Sequence, residues 1–152
     1  MGKAKAPSFI LELPLRVSQD ALKTLLSRLE AGRQLYNACL GEVRRRWELV
    51  RQSRAYRNAL GMPRSTKEER EARAQALSEA WRAQGFSDFE LQMYGLEIRR
   101  GWIGAHLDSF TAQKLATRAF DAQRRVALGK ARRVRFKGKN QSAPGKPAIL
   151  SG

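Results

Sequence analysis

The feature that most constrains the fold is a row of large apolar residues between positions 22 and 50. Its members recur at steps of three and four and are interrupted once, by Arg33: Leu22, Leu26, Leu29, Tyr36, Leu40, Val43, Trp47 and Val50. Because an α-helix turns once every 3.6 residues, this spacing places them on one face. The sequence therefore predicts one long helix that packs by this face, capped by Ser18 and ended by Gly61-Met62-Pro63.

Three further helices are predicted downstream. Capping boxes at Ser65–Glu68 and Ser87–Glu90 each open one, and a third runs from about Ser109 to Leu128, where Gly129 closes it. The residues expected to anchor these helices in the core are Leu77, Trp81, Leu91, Tyr94, Ile98, Ala112, Leu115, Ala119, Phe120 and Val126.

Two short segments alternate in polarity, as β-strands do. Phe9–Val17 has its apolar residues on one parity, and in Arg132–Lys137 the residues Val134 and Phe136 lie opposite the basic ones. Two strands about 110 residues apart do not make a stable sheet alone. They either pair with each other or need strands from outside this chain. A new apolar run at Ile149-Leu150, just before the end, favours the second alternative, a truncated protein.

Charge is distributed unevenly along the chain. The formal net charge is +16, and the stretch Arg124–Lys139 carries eight basic side chains and no acid. A folded protein gains no stability from such self-repulsion, so a run this dense indicates a polyanionic partner. Twenty-one of the thirty cations are Arg, whose planar guanidinium binds phosphate bidentately. Nucleic acid is the expected partner, with a membrane surface or a plain solvated face as the alternatives.

The residues predicted to contact nucleic acid come from this run and from the polar face of the long helix. They are Arg44, Arg45, Arg51, Arg54, Arg124, Arg125, Lys130, Arg132, Arg133, Arg135, Lys137, Lys139 and Asn140.

No catalytic or metal site is predicted in this chain. Cys39 is the single cysteine, so neither an internal disulfide nor a Cys/His zinc site is possible within the chain, and burial in a helix is expected for it. His106 lies in a turn with no nucleophile or orienting acid at a recognisable spacing. Structural roles are expected for the acids Asp88, Glu97, Asp108 and Asp121.

Membrane and export signals are also missing from the sequence. No apolar run approaches the roughly 18 residues that a bilayer crossing requires. The basic N-terminus lacks the apolar segment of a signal peptide. A cytoplasmic location without membrane association is therefore expected.

Several short words, taken in order, resemble the N-terminal part of the TnpB family, transposon-encoded RNA-guided DNA nucleases related to the type V CRISPR effectors. They are the Pro-containing apolar stretch, Arg33-Gln-Leu-Tyr-Asn-Ala-Cys-Leu40, Ser109-x-x-Ala-Gln-x-Leu115, Ala119-Phe-x-Ala122 and Arg135-Phe-Lys-Gly-Lys-Asn140. The resemblance covers nearly all of residues 8–140.

The resemblance implies a domain plan and a function. Residues 1–17 would hold a tail and the first strand of a wedge barrel, residues 18–129 a helical recognition lobe, and residues 130–152 a basic second wedge strand and a truncated C-terminal tail. The expected fold is thus mostly α, a helical bundle inserted between short strands of an incomplete barrel. Such a chain would bind guide RNA and the guide–target DNA duplex without cutting. The RuvC-like domain, with its Mg²⁺ and Zn²⁺, would lie in a missing downstream part of the parent endonuclease.

Two other readings stay open. One is a self-contained DNA- or RNA-binding regulator or architectural protein. In that case Ser87–Arg100 would serve as a recognition helix, although this segment is net acidic. The other is an interaction module whose basic run docks on an acidic protein or lipid.

Overall fold

The computed structural model describes residues 8, 10–12, 14 and 16–139. Within them the chain forms five α-helices and one 3₁₀ helix: α1 Gln19–Gln52, α2 Arg54–Leu60, α3 Lys67–Ala83, α4 Asp88–Ile98, the 3₁₀ turn Trp102–Ala105 and α5 Ser109–Ala127. The mostly helical class is confirmed. No helix in this described part has the length and apolar character that a membrane crossing requires.

The predicted strands are not formed in the described residues. Arg132–Lys137 is free of regular secondary structure, and so are Ile10, Leu11, Pro14 and Val17 of the first segment. The predictions for Phe9, Leu13 and Leu15, for Asn140 and for Ile149-Leu150 fall outside the described residues. The alternation in residues 132–137 is nevertheless informative, because this segment is held to α1 in another way, described below.

The long helix was predicted to continue to Gly61, which is wrong. It ends at Gln52 because Ser53 adopts an extended conformation, with φ −71° and ψ 142°. The Ser53 hydroxyl donates to the Val50 carbonyl over 2.7 Å and accepts from the Tyr56 amide over 3.2 Å. Ser53 therefore terminates α1 and caps α2 at the same time.

The other helix ends follow the predicted signals with one shift. The first capping box is formed by Thr66 and Glu69, one residue later than predicted. Ser87 caps α4 as predicted, and its side chain accepts from the Glu90 amide. Asp108 caps α5, and Gly129 closes it with φ at +73°, a conformation that glycine adopts without strain.

The core lies where α1, α4 and α5 pack together. Leu40, Val43, Trp47 and Val50 are buried as predicted. The N-terminal part of the predicted stripe is wrong, since Leu26 is 41% exposed and no residue of α1 before Ala31 is buried. The buried face there is formed instead by Ala31, Leu35 and Cys39.

Small residues allow α4 to approach its neighbours closely. A Cβ placed on Gly95 would lie 3.2 Å from the Ala116 Cβ and 3.5 Å from the Cys39 sulfur. Ala112, Ala116 and Ala119 are all fully buried on α5. These alanines give the two helices a close contact that larger side chains would prevent.

An aromatic cluster joins this bundle to α2 and α3. The Trp47 ring lies 5.5 Å from Tyr56 and 5.9 Å from Trp81 between centroids, both edge to face. Phe86 lies 5.0 Å from Trp81 and 5.2 Å from Phe120. Such pairs add about 0.5–1.5 kcal/mol each beyond their buried area. The cluster fixes the end of α1, which carries the candidate site.

Candidate nucleic-acid interface

An open groove of about 1000 Å³ runs between the second half of α1 and the segment 132–137. Residues of α5 contribute Gln123 and Val126 to its lining, and α1 contributes Trp47. Six of the predicted cations line it: Arg44, Arg51, Arg132, Arg133, Arg135 and Lys137. The fold thus brings together two basic sets that lie far apart in the sequence.

Glu48 is the one acid that lines this groove, and it pairs with Arg51 over 3.0 Å. Both side chains are about half exposed, so water screens the pair and its contribution to stability is small. The groove therefore keeps a large excess of positive charge.

The segment 132–137 is anchored on α1 by one side-chain amide. Asn37 Oδ1 accepts from the Lys137 N–H over 2.8 Å, and Asn37 Nδ2 donates to the Lys137 carbonyl over 2.9 Å. This reciprocal pair reproduces the two bonds that an opposing residue makes in an antiparallel ladder. A helix side chain here takes the place of a neighbouring strand.

Arg33 strengthens the same anchor. Its Nη1 donates to the Lys137 carbonyl over 3.2 Å, while its Nε and Nη2 donate to the Glu30 carboxylate over 2.8 and 2.6 Å. The hydrogen bonds that the Glu30 carboxylate accepts, from Arg33 first and from Gln34 second, lower its pKa to about 2. Glu30 thus stays ionised and holds the guanidinium in place against the segment.

Tyr36 completes the contact with Lys137. The Lys137 ammonium lies 5.1 Å from the centroid of the Tyr36 ring, a cation–π distance. Arg33, Tyr36 and Asn37 belong to one sequence word, and Lys137 belongs to the word Arg135-Phe136-Lys137. The two words are about 100 residues apart in the sequence, and the hydrogen bond from Asn37 to Lys137 joins them in the fold.

The remaining predicted contact residues lie outside the groove lining. Arg45 is exposed and pairs with Glu42 over 2.7 Å. Asn140 lies outside the described residues. Five more of the predicted contact residues are exposed and do not line the groove: Arg54, Arg124, Arg125, Lys130 and Lys139.

Arg33, Asn37 and Phe136 belong to the site and were not among the predicted contact residues. Arg33 and Asn37 are the anchors, and a charged residue interrupting an otherwise apolar stripe was the available signal for Arg33. Phe136 was expected on the apolar face of a strand, yet it is 46% exposed and lines the groove. Its neighbour Val134 is half-buried against the core.

Three of the side chains with nucleophilic or acid–base chemistry are buried or hydrogen-bonded within the fold. Cys39 is fully buried, as predicted, and burial raises the pKa of its thiol to about 12. Asp108 accepts from the Thr111 amide over 2.6 Å, which lowers its pKa. Asp88 accepts from the Thr117 hydroxyl over 2.8 Å. Among the described residues, no group of three or more His, Cys, Asp or Glu side chains is arranged to hold a metal ion.

Comparison with protein-family models, with curated proteins and with solved structures gives no match for this chain.

Proposed function

We propose that this chain binds nucleic acid through the groove between α1 and residues 132–137. The observation that carries the proposal is the convergence of Arg44 and Arg51 with the cations of residues 132–137 around one groove. The Asn37 anchor holds the second set in place before any ligand arrives, which reduces the entropy lost on binding.

The shape of the site favours a nucleic acid over the other polyanions. A groove accepts a chain of phosphates, whereas a lipid surface is flat and meets only the rim of a concave site. Most of the lining cations are arginines, which bind phosphate oxygens in pairs. The sequence-independent part of such binding comes from counterion release and depends steeply on salt.

We propose further that the chain is the wedge and recognition portion of an RNA-guided nuclease of the TnpB or type V kind. The contact of Arg33, Tyr36 and Asn37 with Lys137 supports this, because the two words on which the resemblance rests most are joined there. Under this proposal residues 132–137 become a strand of the wedge barrel when further strands are supplied.

The ligands would then be guide RNA and the guide–target duplex. An A-form duplex presents mainly its phosphates and 2′-hydroxyls to a protein, which suits a groove lined by Arg and Lys. Catalysis, together with Mg²⁺ and Zn²⁺, would belong to a RuvC-like part of the parent protein outside this chain.

The binding proposal is tested by removing groove cations against a charge-matched control. In Arg44→Gln/Arg133→Gln/Arg135→Gln, the slope of log affinity against log salt for a single-stranded RNA should flatten by about 2, from about 0.7 for each ion pair. The control replaces three exposed arginines that do not line the groove: Arg64→Gln/Arg82→Gln/Arg100→Gln. Equal slopes for the two triple variants would refute the groove as the binding site.

The identity of the RNA separates a guide-binding protein from a general regulator. The full chain is purified from its native host, and the RNA that comes with it is sequenced. One discrete structured RNA is expected for the nuclease proposal. A broad mixture of transcripts, or duplex DNA alone, would contradict it while leaving nucleic-acid binding intact.

A further inference from the structure

We infer that Phe136 is a stacking site for one unpaired base, so that the groove takes a strand with at least one unpaired nucleotide there. This inference rests on the proposed nucleic-acid binding and deepens it by naming the form of the ligand. Phe136 is 46% exposed and lines the groove together with Arg44, Arg133 and Arg135.

The residues before and after Phe136 in the sequence fix the position of its ring. Val134 packs against the core, and the backbone of Lys137 is fixed by Asn37. Beneath the ring, Gly41 provides a place on α1 without a side chain: a Cβ added there would lie 4.0 Å from Phe136 Cε1. One edge of the ring therefore lies close to the helix, while about half of the side chain stays exposed at the groove.

The surroundings of the ring favour a nucleotide over an apolar protein partner. An apolar side chain would cover the ring but leave the surrounding arginines without counter-charge. A nucleotide supplies both a flat base for the ring and a phosphate for the arginines. Proteins that bind unpaired strands commonly combine a positively charged groove with aromatic rings on which bases stack. A closed duplex keeps its bases stacked inside and offers the ring no free base face.

The effect of stacking is large enough to measure. A base stacked on an aromatic ring contributes about 5-fold to about 150-fold in affinity, as alanine substitutions in other proteins show. Phe136→Leu keeps an apolar contact with Gly41 but removes the aromatic face, and Phe136→Tyr keeps both. Phe110 provides the matched control, because it is 64% exposed on α5 and does not line the groove.

The experiment measures fluorescence anisotropy of the full chain with three labelled RNAs of equal length. One is single-stranded, one is single-stranded with abasic sites throughout, and one is a blunt duplex. Phe136→Leu should weaken binding of the first by about 5-fold to about 150-fold. Its affinity for the abasic and duplex RNAs should match that of the original chain, and its salt slope should not change, since no ion pair is removed. Phe136→Tyr and Phe110→Leu should bind like the original chain.

Two results would overturn the stacking site. Unchanged affinity of Phe136→Leu for the single strand would show that the ring contacts no base. Equal weakening for all three RNAs would show that the ring only supports the groove, or that another segment covers it. The proposed function fails separately, if the original chain binds none of the RNAs or if Arg44→Gln/Arg133→Gln/Arg135→Gln binds as well as the original.

Discussion

The anchor formed by Asn37 gives the sharpest prediction about this structure. Asn37→Ala removes both hydrogen bonds to the Lys137 backbone. Each such bond contributes about 0.5–1.5 kcal/mol net, so the two together contribute about 1–3 kcal/mol to docking of the segment. The Arg33 bond to the Lys137 carbonyl and the Tyr36 contact remain in the variant. The opening equilibrium of the segment should therefore shift by about 5-fold to about 150-fold toward release.

Amide hydrogen exchange at Lys137 tests the anchor. In the original chain the Lys137 N–H is protected by Asn37, whereas the N–H groups of Arg133 and Arg135 have no acceptor among the described residues. Lys137 should thus exchange slowly between fast neighbours. In Asn37→Ala its N–H has lost the Asn37 acceptor, so it should exchange at least about 5-fold faster, toward the rate of those neighbours. Helical amides of α1 and α5 should keep their protection, because the segment lies outside the helical bundle.

Asn58→Ala is the matched control for this experiment. Asn58 is exposed on α2, and the same substitution there changes helix propensity, by up to about 0.7 kcal/mol, without touching the anchor. Lys137 exchange should be unaffected in the control. Slow Lys137 exchange in Asn37→Ala would refute the anchor. So would loss of protection spread equally over α1, because the substitution would then have destabilised the whole fold.

Three further predictions follow from burial and charge. Leu40→Ala should lower the free energy of unfolding by about 2–5 kcal/mol and Leu60→Ala by less than about 1, since the first side chain is fully buried and the second is 46% exposed; similar denaturant midpoints would contradict this. The Cys39 thiol, with its pKa raised to about 12 by burial, should resist Ellman's reagent at pH 8 until denaturant is added, and rapid native labelling would contradict its burial. Arg33 lowers the pKa of Glu30 from 4.5 to about 2, so the stability contributed by Glu30 is complete above pH 4.5 and is lost as the pH falls to 2. As the pH falls from 4.5 to 2, the melting temperature of Glu30→Gln should therefore fall less steeply than that of the original chain. Parallel curves would show that the Glu30–Arg33 pair contributes nothing to stability.

The helical plan could be predicted from the sequence because helix signals are local. Ser18, Ser87 and Gly129 act where their residue types predict, and the burial of Leu40 through Val50 follows from spacing alone. The prediction failed where the choice depended on a distant partner. Leu26 has the same spacing as Leu40, but it is 41% exposed in the part of the chain that the structure describes, whereas Leu40 is fully buried.

Small residues were the second source of error. Ala31, Ala112 and Ala116 are fully buried, while the apolar pattern was traced through large side chains. Alanine is also a frequent surface residue of helices, so its position alone does not indicate burial. Only the packing of α4 against α5 at Gly95 shows why small residues are needed there.

The sequence indicated several of the cations that line the groove, but it did not indicate the residues that hold the segment 132–137 in place. Density of Arg and Lys identified Arg44, Arg51 and the cations of residues 132–137, and all of them line one groove. The alternation in residues 132–137 predicted a strand, which the structure does not form, because alternation does not specify what satisfies the backbone. Asn37 does so from 100 positions away, and no local pattern encodes that contact.

Docking through the main chain of Lys137 has a consequence for protein engineering. Asn37 contacts the peptide groups of the segment and makes no demand on the side chains at positions 133 and 135, which are both exposed. Residues 133 and 135 can therefore be substituted without changing the hydrogen bonds that hold the segment on α1. Side chains of different charge or length, or ones that carry a cross-linker or a fluorophore, can be introduced at these positions while the segment stays attached to α1.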